Sequence, residues 1–126
     1  MAIFSNLSPH APKALGALRI VSSLLFIAHG TQKLFAFPVG FPMEMNGLFY
    51  AAGIIELVAG LLMLVGFQTR IAAFISSGTM AVAYWLGHAP MSPWPVANMG
   101  DAAILFCFVF LYLVFAGPGA WSVDKD

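Results

Sequence analysis

Four apolar stretches, each close to twenty residues long, fill nearly all of this chain: 14–37, 47–66, 70–87 and 100–116. A helix rises about 1.5 Å per residue and a bilayer's hydrocarbon core is about 30 Å thick, so roughly twenty mostly apolar residues make one crossing. The breaks fall where helices must stop. Pro38, Gly40 and Pro42 interrupt the chain after the first stretch, and Gly66, Phe67, Gln68 and Thr69 form a tight turn. Three prolines surround Trp94 between His88 and Met99, and Gly117, Pro118 and Gly119 end the fourth stretch. Ser8, Pro9 and Pro12 read as a short polar lead into the first helix. The expected fold is therefore all-α, a polytopic membrane four-helix bundle forming one domain over residues 1–126. Four spans leave no room for a second domain or an extramembrane catalytic lobe.

Composition supports the bilayer as solvent: 61% of residues are hydrophobic and 8% charged, against about 25% charged in a soluble domain. Five basic and five acidic residues give a net charge of zero. Without a basic run there is no electrostatic footprint for nucleic acid, which is excluded as a partner. Cys107 is the sole cysteine, so an internal disulfide, a CxxC pair and a thiolate zinc site are excluded as well. Three scattered histidines without an HxxxH pair argue against haem or metal. No Ser-His-Asp set, P-loop or dinucleotide glycine pattern is present.

The first stretch is too long for a cleaved secretory signal, carries His29, Gln32 and Lys33 near its far end and lacks a small-x-small cleavage site. Lys13, Arg19, Arg70 and Lys125 fall on one side of the expected spans and Lys33 on the other. The positive-inside rule then places both termini in the cytoplasm, in a multi-pass protein of the cell's inner membrane. Phe37, Phe41 and Trp94 suit the interfacial belt on the outer side.

Polar residues within the spans are the functional candidates. At 100° per residue, Arg19, Ser22, Ser23, Phe26, His29, Gly30 and Lys33 share an arc of about 120°. In the second stretch Gly53 and Gly60, with Ala52, Ala59 and Gly66, form a small-residue seam that lets helices approach closely, and Glu56 sits on it near mid-span. Counting back from the connecting loop sets Glu56 nearest Phe26, with His29 a turn outward and Arg19 about two turns inward. Glu56 is thus expected at the centre of a buried network with Arg19 or His29. Lys33 is expected to snorkel to its interface, with Arg70, His88 and Asp101 as further candidates. Asn98 and Asp101 suit the start of the fourth helix, where His88 and Asp101 are expected to meet. For Arg19, His29 and Glu56 a structural role in fixing the helices stands beside a functional one.

The stretches Ala17 to Ile20, Ala28 to Leu34 and Gly53 to Leu62, followed by Gly66 to Arg70 and Asn98 to Asp101, together resemble the DoxX family of small bacterial and archaeal membrane proteins. The resemblance implies a four-helix inner-membrane bundle similar to the small subunits of thiosulfate:quinone oxidoreductases, with Arg19, His29, Lys33, Glu56, Arg70 and Asp101 as motif positions. The lack of further cysteines sets aside sulfur chemistry by this chain alone. The leading expectation is a membrane subunit of a redox system that binds a lipophilic quinone, with Arg19, His29 and Glu56 supplying donors and a proton. Electrons would come from a partner redox protein. The rival is a structural membrane anchor or assembly factor without catalytic activity. A small-molecule transporter is a third reading, weakened by the lack of broken helices in paired halves. The surrounding partner is the lipid bilayer. A homo-oligomer is compatible with the sequence, although no residue demands one.

Overall fold

The computed structural model describes residues 2–125, so the first and last residues of the expected 1–126 domain lie outside it. The chain forms α1 (Ala11–Phe35), α2 (Gly47–Val65), α3 (Thr69–Gly87), a single turn α4 (Pro95–Asn98) and α5 (Asp101–Ala116), with no strand among the described residues. Pro12 lies in the first turn of α1, where its missing N–H would have had no partner anyway. Asn46 caps α2, its side chain accepting from the Phe49 N–H at 2.9 Å. Gly66 ends α2 at φ 72°; a Cβ there would also stand 2.3 Å from Cβ of Ser122, so glycine is required twice over.

The long helices run up, down, up and down. α1 packs along α2 and α3 along α5, while α2 against α3 joins the two pairs and α1 against α5 is the lightest of these four neighbouring contacts. Between α1 and α2 the backbones come close: a Cβ on Gly30 would lie 2.8 Å from the Leu57 nitrogen, and one on Gly60 would lie 2.7 Å from an Ile27 side-chain carbon. The small-residue seam of α2 therefore faces α1. Phe26, Met63, Phe110 and Leu113 are fully buried at the centre, beside Ala72, Ala73 and Met80. Phe26 meets Phe110 edge to face at 4.8 Å.

The distribution of polarity is inverted relative to a water-soluble bundle. Leu24 and Leu25 of α1, Ile54 and Val58 of α2, Phe74 of α3 and Phe108 of α5 are exposed, while Arg19, Ser23, Glu56, Ser76 and Asn98 are buried. Such a surface needs lipid around it, and the protein is a helical membrane bundle. α1 with its preceding turn, and α2, are long and apolar enough to cross on their own. The other two expected spans differ for separate reasons. α3 has the length, but it turns Thr69, Ser76 and Ser77 into the bundle, which lowers its hydropathy without making its outer face polar. α5 is apolar but has sixteen residues, about 24 Å of helix.

After α5 the chain folds back across the end of the bundle that holds the start of α1. The Ala120 N–H donates to the Pro12 carbonyl at 2.8 Å, and the N–H groups of Val123 and Asp124 donate to the carbonyls of Val65 and Gly66 at 3.0 and 2.8 Å. This tail straps α1 to the α2–α3 turn.

Candidate functional site

Near the opposite end, the end of the 36–46 loop, Lys33 meets Glu56. Its ammonium donates to both carboxylate oxygens, at 2.9 and 3.2 Å, and the Lys33 and Glu56 side chains are 10% and 3% exposed. An ion pair this dry persists because each charge is the other's only adequate substitute for water. The expected partners of Glu56 are Arg19 or His29; Arg19 lies at the far end, and His29 lines the same cavity without bonding the carboxylate. The reason is axial. Gly30, not Phe26, lies level with Glu56 and Leu57, because α2 begins about one turn farther out than α1 ends. Lys33, one turn beyond Gly30, then comes level with the carboxylate. It does not snorkel outward, and the Phe41 ring lies 5.0 Å from its ammonium.

The pair borders a cavity of about 150 Å³ between the helices, walled also by His29, Met80, Ala103 and Phe106. His29 is exposed and its ring stands edge-on to Phe106 at 5.7 Å between centroids. His88 also lines the cavity, but its ring nitrogen Nδ1 bonds the Asn98 carbonyl at 2.9 Å. The expected meeting of His88 with Asp101 is not formed: Asp101 is exposed in the first turn of α5. Asn98 takes the organising role instead. Fully buried, it donates to the Tyr84 hydroxyl and the Ser92 carbonyl, both at 3.0 Å, and accepts from the Gly100 N–H at 2.9 Å. It thereby orders the proline-rich turn above the cavity rather than capping α5 directly.

Arg19 sits at the strapped end and is fully buried. Its guanidinium donates to the carbonyls of Pro118, Ala120 and Trp121, the last two at 3.0 and 2.6 Å. Arg70 donates to the Val114 and Phe115 carbonyls, both at 2.8 Å, where the C-terminal end of α5 favours a cation. Asp124 completes this end. Its carboxylate accepts from the N–H groups of Gln68 and Thr69 at 3.0 and 2.9 Å, capping α3, which lacks a side-chain cap of its own at Gln68. Burial works to raise the Asp124 pKa, but the hydrogen bonds from Thr69 and Gln68 and the nearby Arg19 charge outweigh it and hold the carboxyl below its ordinary value.

The sequence reading missed the role of 117–125. A bare α3 start at Gln68 and an acidic residue six positions after a Pro-Gly turn were the available signals. Among the described residues no three His, Cys, Asp or Glu side chains converge as a metal site. The chemistry on offer is an ammonium donor, a carboxylate acceptor and two imidazoles around one ring-sized space.

These features define a class: a small helical membrane bundle with an ion pair beside an internal cavity. The DoxX family model matches residues 14–89, and the chain belongs to the DoxX family. It is 40% identical to an uncharacterized protein of Haemophilus influenzae, over 96% of each chain. It is 28% identical to an uncharacterized membrane protein of Mycobacterium tuberculosis, over 99% of this chain and 93% of that one. The inner membrane protein YqjF of Escherichia coli is also 28% identical, over 85% of this chain and 86% of its own. No solved structure matches significantly.

Proposed function

We propose that this protein is a membrane subunit of a redox system and that the Lys33–Glu56 pair receives the ring of a lipophilic, quinone-like ligand. The observation that carries this reading is the ion pair bordering a cavity of about 150 Å³. An engineered cavity of about that volume holds benzene, so one six-membered ring fits. A quinone would supply the electron-accepting chemistry. Lys33 donates to a ring carbonyl, and Glu56 holds or releases the accompanying proton once its ammonium partner turns to the ligand. His29 stands at the cavity's edge as a second donor. Electrons come from a partner protein.

In this reading the chain is a single domain of the inner membrane. Both termini are cytoplasmic, because Lys13, Arg19, Arg70 and Lys125 gather at the strapped end. Cysteines introduced at Ser5 and Ser92 in a Cys107→Ser background should label from opposite sides.

One observation favours the rival reading of a structural anchor: Lys33 engages both oxygens of Glu56, as a permanent staple would. Titration of decylubiquinone into proteoliposomes, read by tryptophan fluorescence, separates the two. Saturable binding that Glu56→Gln abolishes while the fold persists supports the ligand site. Equal behaviour of both proteins, with no saturable binding, supports the staple.

A further inference from the structure

The cavity has a weak wall on the side where α1 faces α5, the least packed of the four neighbouring helix pairs around the bundle. Below the cavity that seam is closed by Phe26 and Phe110, both fully buried and in edge contact at 4.8 Å. At cavity level α5 offers Ala102 and Ala103, whose methyl groups cannot span to α1, and closure falls to the His29–Phe106 contact. Phe106 is half-buried and held by Phe26 and Phe110, each at 5.5 Å between centroids, whereas His29 is exposed, so His29 is the looser member of the contact.

An open surface groove, also of about 150 Å³, lies on the outer flank of α1 against the 36–46 loop, lined by Ala28, His29, Gln32, Pro38 and Val39. His29 lines both. It is the residue common to a groove on the outside of the bundle and the cavity that holds the ion pair. A rotamer change of an exposed side chain occurs within nanoseconds, so the residue shared by the two spaces is free to move on that timescale.

We infer that His29 and Phe106 form a lateral portal through which a neutral, lipophilic ring compound passes from the bilayer into the Lys33–Glu56 cavity. The polar groups inside are served by a ligand that dissolves in lipid, and the groove along Ala28 and Val39 receives it first. This rests on reading the cavity as a ligand site, and it adds the route and the phase from which the ligand comes. The competing route is the loop end, where Met99, itself 79% exposed, lines the same cavity.

Photolabelling tests the route without assuming a quinone. A phenyl diazirine, a single lipophilic ring that partitions into the bilayer, is irradiated with the full-length protein in proteoliposomes, and adducts are mapped by mass spectrometry. The expected result is labelling of Met80 and Glu56 on the inner wall that rises severalfold in His29→Ala and falls severalfold in His29→Trp, with lipid-facing Phe108 labelled equally in all three. Met99→Trp, which narrows the loop-side route, should change nothing. Inner-wall labelling that is insensitive to His29 and lost in Met99→Trp overturns the portal, as does an inner wall unlabelled in both the unaltered protein and His29→Ala. The decylubiquinone titration is a separate readout. Labelling that follows His29 while the titration fails keeps the portal and removes the quinone, and the converse removes the portal alone.

Discussion

A buried cation stands near each end of this bundle, and the two are neutralised by different means. Arg19, at the strapped end, is held by three backbone carbonyls of the tail. Lys33, at the loop end, is held by one carboxylate beside a cavity. Carbonyls in a fixed segment neither gain nor lose a proton, and no other ligand can take their place without unfolding the strap. A carboxylate can do both. The comparison teaches that burial of charge in a membrane protein does not by itself mark function; what marks it is whether the partner can be exchanged.

One partner can be taken from each of the two charge sites in turn. Arg19→Ala leaves three buried or half-buried carbonyls without a donor, at about 1 to 3 kcal/mol each, so it should lower stability in detergent by about 3 kcal/mol or more. Thermal unfolding measures it. A variant that keeps its melting temperature would show that the strap does not depend on Arg19.

Next in size is Gly16→Ala, at the strapped end. The new methyl would sit 2.5 Å from the Ala120 carbonyl oxygen, displacing an Arg19 acceptor, and overpacking of this kind costs about 1 to 3 kcal/mol. Gly78→Ala, where the added carbon meets nothing within 4 Å, should leave the melting temperature unchanged or slightly raised. Equal effects at the two glycines would remove close packing of the tail from the account.

At the loop end the expected loss is smaller. Glu56→Ala strands Lys33, but its side chain, 10% exposed, can turn the ammonium toward the cavity, so about 1 to 2 kcal/mol is expected rather than the about 3 to 5 kcal/mol of a sealed pair. Glu56→Gln should unfold close to the unaltered protein. Denaturation of both in the same detergent decides whether the loop end is the softer of the two.

The smallest effect concerns acid. Asp124 has a pKa held below the ordinary 3.8, so its contribution to stability is complete above that value and is lost as pH falls through the lower folded-state value. Because the carboxylate is partly solvated, removing this cap should cost about 1 kcal/mol or less. Asp124→Asn should flatten the acid limb of a stability-against-pH curve. An unchanged limb would assign acid sensitivity elsewhere.

Much of the fold was legible because bilayer thickness translates directly into run length, and helix breaks follow from Pro and Gly. Gly60 and Gly53 announced a close helix contact in the same way, and the structure supplies α1 as the partner. Of the expected cluster, Glu56 and His29 line the cavity while Arg19 lies at the other end, and the Lys33–Glu56 pairing was illegible. Glu56 is set apart by being a carboxylate at mid-span, but which member of the α1 stripe it meets depends on an axial offset of about one turn between α1 and α2. No local residue encodes that offset; it comes from the path of the 36–46 loop, where Gln32 Nε2 donates to the Gly40 carbonyl at 3.3 Å. Asp124 capping α3 was invisible for a related reason. A cap is normally sought within a few residues of its helix, and this one arrives from 55 positions away.

The strap also bears on how the protein is made. Arg19 precedes its carbonyl partners by 99 to 102 positions, so α1 leaves the ribosome and enters the bilayer long before anything exists to shield its guanidinium. An exposed intramembrane arginine disfavours insertion by about 2.5 to 3.5 kcal/mol at a helix centre. During synthesis, therefore, α1 is held less firmly in lipid than it will be afterwards. A copy halted before Pro118 lacks all three of the carbonyls that accept from Arg19 in the finished bundle.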